Sequence, residues 1–224
     1  MSSPRTMTPV VLLWSGGKDA AMTLRAVRQS DELDARALLT TVTEDDETVT
    51  MHGTPLALIR AQAEALNLPL AVMRLPQGAP NDVYERRMKD ALSPLREKGL
   101  RVVAVGDLFL SDIRDYREAL FERIGWEVKF PIWQQSTREM AETFIEEGYR
   151  AVVTSVDTTQ LNASFAGRAY DRAFLSKLPE SVDPCGEHGA FHTFVTGGPP
   201  FAAPVTVEVG KTMREERMAQ ARLA

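Results

Sequence analysis

The chain has 224 residues, 44% apolar and 25% charged, a make-up that excludes disorder and fibrous repeats and suits one large domain or two small ones with a real core. Lysine and arginine total 26 against 31 aspartate and glutamate, a formal charge of −5, which argues against a dedicated nucleic-acid or membrane-surface binder. Cys185 is the single cysteine, so an intrachain disulfide and a cysteine-only metal site are excluded, and a reducing cytoplasm fits best.

Met1–Pro9 is short and polar, and nothing in it addresses the chain to another compartment. Val10–Trp14 (VVLLW) is a continuous β-branched and apolar run ended by Ser15-Gly16-Gly17, the pattern of a strand buried on both faces. Asp19–Arg28 carries Ala20, Leu24 and Val27 at helical spacing, so the glycines mark a strand-to-helix turn. Ala35–Val42 reads as a strand, and Thr54–Leu66 as a helix with Thr54 as cap and Pro55 at its first position. Leu70–Leu75 predicts a strand, Asn81–Lys98 a long helix capped by Asn81, and Arg101–Val105 a further β run. Ser111 is the expected cap of a helix over Asp112–Ile124, which places Ile113, Tyr116, Leu120 and Ile124 on one face and stops at Gly125.

Strand alternating with helix predicts a parallel sheet with helices on both faces, a doubly wound α/β domain. The expected boundary follows Ile124, giving domains 1–124 and 125–224. The second holds a helix over Thr137–Glu147, a strand over Arg150–Val156 and a helix over Tyr170–Leu178. A Gly/Pro-punctuated β region then runs from Phe191 to Val209, and Thr212–Ala224 reads as a polar helix or a frayed tail. Trp14, Trp126 and Trp133 are read as core.

The strongest local signal is Ser15-Gly16-Gly17-Lys18-Asp19. A helix N-terminus carries unpaired N–H groups and partial positive charge, and glycines let an anion approach the backbone, so the turn reads as a phosphate site. It is neither a Walker A loop nor a GxGxxG turn. The plainer reading is a turn with Ser15 as cap and Asp19 on the helix dipole. A second signal, Asp183–Phe201 (DPCGEHGAFHTFVTGGPPF), packs Asp183, Cys185, Glu187, His188, His192 and Thr193 among four glycines and three prolines, a density that suggests a site on a loop. Cys185, His188 and His192 match no standard zinc spacing, so no metal ligands are assigned, and a lone cysteine is more often a small buried hydrophobe. Gly106-Asp107 ends a β run, where ligands of open α/β sheets bind. His52, in Met51-His52-Gly53, reads as a turn residue.

With these residues assembled, the chain resembles the PP-loop ATP pyrophosphatases and, within them, the diphthine–ammonia ligase (diphthamide synthase) family. The likeness runs through LWSGGKDA (Leu13–Ala20), MHG (Met51–Gly53), QAEALNLPL (Gln62–Leu70), GDLFLSDIRDYRE (Gly106–Glu118) and DPCGEHGAFHTFV (Asp183–Val195), the wording looking most like the bacterial-type branch. The resemblance implies a Rossmann-like HUP domain with a parallel sheet plus a smaller α+β C-terminal domain. It implies ATP with Mg2+ and a carboxylate acceptor that is adenylated, with ammonia completing an amide. Ser15, Gly16, Gly17, Lys18, Asp19, Gly106 and Asp107 would bind the nucleotide; Lys18, Asp19, Glu187 and His192 would carry the catalysis. No membrane or nucleic-acid partner is expected, and a homodimer stays open.

Two departures stand out. Ala20 occupies a position where the motif ends in serine or threonine, and Ala190 replaces the second glutamate of the family's CGE-x-GE-F pattern. Diphthamide belongs to archaeal and eukaryotic elongation factor, so a bacterial member needs another acceptor. The alternatives are an adenine nucleotide alpha hydrolase (an ATP pyrophosphatase on an unidentified substrate) and a non-catalytic ATP-binding sensor. RNA thiolation is a third class, opposed by the absence of paired cysteines and of a basic surface.

Overall fold

The computed structural model describes residues 7–50 and 52–224. Residues 1–6, the start of the polar Met1–Pro9 segment, and Met51 of the Met51–Gly53 string lie outside the described residues. Contacts gather the chain into two compact units: 7–14, Asp19–Asp46 and Leu68–Gln134 form one; Ser15–Lys18, Glu47–Asn67 and Gln135–Ala224 form the other.

The first unit holds β1 (Thr8–Leu13), β2 (Leu33–Thr43), β3 (Leu70–Leu75), β4 (Val102–Ala104) and β5 (Glu127–Lys129). They form one parallel sheet in the order β3-β2-β1-β4-β5, so the Rossmann-like α/β expectation holds and the strand order reverses between β1 and β4. Val10, Val11 and Leu12 are wholly buried, as a strand covered on both faces demands. Around the sheet pack α1 (Lys18–Gln29), which starts in the second unit at Lys18, and α3 (Asn81–Glu97) and α4 (Ser111–Arg123); α2 (Leu56–Ala65) belongs to the second unit. Met88, Leu92 and Leu95 of α3 recur at helical spacing and meet Val11, Leu39 and Val103 in the core. Each such side chain contributes about 1.5–3 kcal/mol by its burial.

The helix starts differ from expectation. Pro55, Pro80 and Leu110 occupy the cap positions of α2, α3 and α4, and no side chain caps these helices. Asn81 and Ser111 sit inside the first turn, where the side chain no longer reaches the orphan N–H groups. A proline suits such a start because its fixed φ sets the entry. Ile113 is 38% exposed, whereas Leu120 and Phe121 carry the buried face of α4. Gly125 ends that helix at φ +74°, the left-handed terminator expected of it. Trp14 and Trp126 are core; Trp133 is half-buried, with the Arg114 guanidinium 4.9 Å from its ring centre.

The second unit adds α5 (Thr137–Glu146), β6 (Arg150–Asp157), α6 (Arg172–Leu175), β7 (Phe191–Gly197), β8 (Val209–Glu215) and β9 (Met218–Leu223). Its antiparallel sheet runs β7-β6-β9-β8. The predicted polar helix or frayed tail over Thr212–Ala224 is therefore a hairpin. Met, Arg, Glu, Ala and Gln favour a helix there, but Ala219, Ala221 and Leu223 alternate inward along β9, which pairs with β6, and tertiary pairing overrides the weak local preference. The helix predicted over Tyr170–Leu178 shrinks to α6, because Asp171 accepts from Phe174 N and Tyr170 is drawn into an aromatic core instead. Phe144, Tyr149, Tyr170, Phe174 and Phe191 form that core, with ring centres 5.0 Å apart for Phe144–Tyr149 and 5.2 Å for Phe174–Phe191. Each aromatic pair adds about 0.5–1.5 kcal/mol beyond its buried area. Among the described residues no helix is long and apolar enough to cross a membrane.

Candidate functional site

The glycine turn is built by elements remote in sequence. Gly16 stands at φ +82°, and its carbonyl oxygen accepts from Val195 N at 2.8 Å and from Gln62 Nε2 at 3.0 Å. Gln62, wholly buried on α2, also donates to Val195 O at 2.6 Å, so one amide clamps the turn to β7. Ser15 Oγ accepts from Gly17 N at 3.3 Å. The cap of α1 comes from β7: Thr193 Oγ1 accepts from Lys18 N at 3.0 Å. A Cβ on Gly17 would lie 3.1 Å from Thr193 O, so β7 approaches closely only because residue 17 has no side chain. Removing the capping oxygen while keeping the shape, in Thr193→Val, is expected to lower the unfolding free energy by about 1–2 kcal/mol; urea titration checks this, and an unchanged midpoint would deny the cap its role.

Lys18 is only 3% exposed, and its Nζ lies 5.5 Å from the centre of the Phe191 ring. An ammonium held in such a place strengthens the positive field of the α1 N-terminus, where charge is felt more than in water. Two imidazoles join it. His52 and His192 face each other with ring centres 4.4 Å apart, tilted by 41°. His52 Cε1 stands 3.6 Å from the Cβ position of Gly17. Burial, with the charges of His192 and Lys18 adding to it, pushes the His52 pKa down to about 3, so this imidazole is neutral near pH 7.

Asp19, Gly106 and Asp107 lie in the first unit. A Cβ on Gly106 would meet Asp19 O at 3.1 Å, so the second residue after β4 abuts the first turn of α1, as the sheet topology implies. Asp107 Oδ2 lies 2.6 Å from Arg117 Nε in a largely covered ion pair.

The Asp183–Gly189 segment divides its labour. Asp183 is structural: Oδ1 accepts from Cys185 N at 2.7 Å and Oδ2 from Thr137 Oγ1 at 2.6 Å. Cys185 is 2% exposed with Sγ donating to Thr137 O at 3.2 Å, the small buried hydrophobe of the plainer reading. Glu187 lines a cavity of about 430 Å3 together with Arg138, Glu142, Gln160, Asp183 and His188, all within the second unit. Ser15–Lys18 and His192 are not in its wall. Ala190 is wholly buried, its N–H donating to Gly186 O and its carbonyl accepting from Asp157 N.

The structure thus brings Ser15, Gly16, Gly17 and Lys18 together with His192, sets Asp19 beside Gly106, and gives Glu187 a cavity wall. Sequence reasoning read His52 as a turn residue and met Gln62 only within the QAEALNLPL string, missing the part each plays at the glycine turn. The signal for Gln62 was one amide on the apolar face of an Ala/Leu-rich helix; His52 offered no local signal, since what it touches lies 35 positions earlier at Gly17.

A family model described as the diphthamide synthase N-terminal domain matches residues 8–128, and one described as the diphthamide synthase C-terminal domain matches residues 136–220. No curated protein matches the chain.

Proposed function

Because the chain belongs to the diphthamide synthase family, we propose that it is an ATP pyrophosphatase-type ligase. An acceptor carboxylate attacks the α-phosphorus of ATP, pyrophosphate leaves, ammonia attacks the acyl-adenylate carbonyl and AMP departs with loss of a proton. The observation that carries this reading is the Ser15–Lys18 turn, with its buried lysine at the first position of α1. Ser15, Gly16, Gly17 and the backbone N–H of Asp19 would seat the phosphate chain. Lys18 would offset charge building on the departing pyrophosphate, a term that usually dominates such chemistry. Gly106, against the first turn of α1, and Asp107, held by Arg117, would border the nucleotide. Glu187 and His192 would move protons on the acceptor side. Magnesium would arrive with the nucleotide and offset phosphate charge there, and Asp19, in the first turn of α1, would be this chain's carboxylate to hold it.

A second reading, a non-catalytic ATP sensor, is favoured by Ala20 and Ala190, both buried where the family's motifs carry a hydroxyl and a carboxylate. Product release separates the two. The ligase is expected to yield AMP and pyrophosphate in equal amounts with ammonium and candidate carboxylates, and Lys18→Ala to slow this by roughly 10²-fold. ATP binding with neither product would establish the sensor; unchanged ATP affinity in both Gly17→Asp and Lys18→Ala, by calorimetry, would remove the turn from either reading.

A further inference from the structure

The buried polar atoms of the second unit include one with an unusual address. His52 Nδ1 is sealed from solvent and has no hydrogen-bond partner among the described residues. A buried imidazole nitrogen left unpaired costs about 1–3 kcal/mol, and such atoms call for a physical explanation. The ring is not loosely placed. His52 N and Gly53 N both donate to Val49 O, at 3.1 and 2.9 Å, and the Gln220 amide of β9 fills the space a Gly53 Cβ would take. His192 packs on the ring, and Cε1, which lies between the two ring nitrogens, stands 3.6 Å from the Cβ position of Gly17.

We propose that His52 is a ligand-binding residue of the glycine turn, its Nδ1–H donating to an oxygen of the phosphate chain seated on Ser15–Lys18. The inference rests on the nucleotide reading given above and extends it to a residue outside the turn. The chemistry selects an anion. Lys18 and the N-terminus of α1 present positive charge to the turn, which attracts a phosphate. Burial and the neighbouring charges keep the imidazole neutral, so near pH 7 it carries one N–H and one lone pair, and the N–H at Nδ1 is the donor a phosphate oxygen lacks. Packing by His192, with the backbone of His52 and Gly53 tied to Val49 O, holds that donor ready before the ligand arrives, so little ordering is needed on binding.

The test is calorimetry of the full chain with ATP and, separately, inorganic pyrophosphate, using wild type, Lys18→Ala, His52→Phe and His52→Gln. Phenylalanine keeps the ring packing and removes the nitrogen; it is expected to weaken both ligands by roughly tenfold or more, the loss typical of a hydrogen bond to a charged group, at an unfolding midpoint equal to or above that of the wild type. Glutamine, which restores a donor, should recover part of the loss. Nitrogen-15 spectra of the wild-type imidazoles should show the His52 Nδ1 signal moving on addition of pyrophosphate, and this decides the matter should the variants fail to fold. Wild-type affinity in His52→Phe beside a loss in Lys18→Ala, or a stationary Nδ1 signal in a pyrophosphate-bound chain, overturns the role of His52 and leaves the nucleotide reading standing. A wild-type chain that binds neither ligand overturns both.

Discussion

Gly16→Ala is expected to lower the unfolding free energy by about 3–5 kcal/mol and to take nucleotide binding with it. At φ +82° an L side chain already costs about 1–2 kcal/mol. The added Cβ would lie 2.6 Å from Ile59 Cδ1 and 2.8 Å from Gln62 Oε1. Ile59 is wholly buried and has little room to retreat, and moving Gln62 sacrifices the bonds to Gly16 O and Val195 O. Overpacking of this kind adds about 1–3 kcal/mol. Denaturant unfolding measures the first effect and ATP calorimetry the second; a loss below about 1 kcal/mol with intact binding would show that the turn relaxes freely and that the clamp from α2 is dispensable.

The first unit was legible because its strands are continuous apolar runs and its helices carry regular stripes, two periodicities that survive without knowledge of any partner. What escaped was set by pairing. β5 is three residues, Glu127–Lys129, too short for any pattern to emerge. β8 is exposed along its whole length and shows no alternation at all; it is a strand because β9 bonds to it, and β9 because β6 does. The site divides in the same way. Ser15–Lys18 could be read from one string, as local chemistry at the start of a helix. Thr193, Gln62 and His52 act on that string through space, so their roles depend on the register of β7 and the placement of α2. Caps failed for a related reason: a hydroxyl or amide near a helix start is common, and whether it occupies the cap position depends on one residue of offset.

Ala190→Glu is the second large effect, and here the resemblance and the structure point in opposite directions. The family pattern has a glutamate at this position, and restoring it is the obvious repair for amide formation. Yet Ala190 is wholly buried, and its backbone is committed to Gly186 O and Asp157 N. A carboxylate introduced there needs a partner that the alanine never required, and an unpaired buried charge costs several kcal/mol or shifts its pKa to stay neutral. We expect a loss of about 3 kcal/mol or more at pH 7. The folded-state pKa of the new group would rise above its unfolded value of about 4.3, so the penalty is fully present above the folded pKa and fades as pH falls through it toward 4. Urea unfolding of both proteins at pH 7 and pH 4.5 should therefore show the gap narrowing on acidification. Equal stability at pH 7, together with faster production of AMP and pyrophosphate, would mean that the protein has kept space and a partner for the missing carboxylate.

The bond from Lys18 N to Thr193 Oγ1 joins positions 175 residues apart. A ribosome therefore delivers the first residue of α1 175 positions before its cap. Over that interval the growing polypeptide carries the SGGKD string while its supporting strand has yet to be translated. On the proposed nucleotide reading, competence would wait for β7, whose Thr193 and Val195 hold the turn, so a bound nucleotide would attest that this strand has folded. Truncated or stalled products that still carry the complete SGGKD string lack the scaffold that gives it purpose.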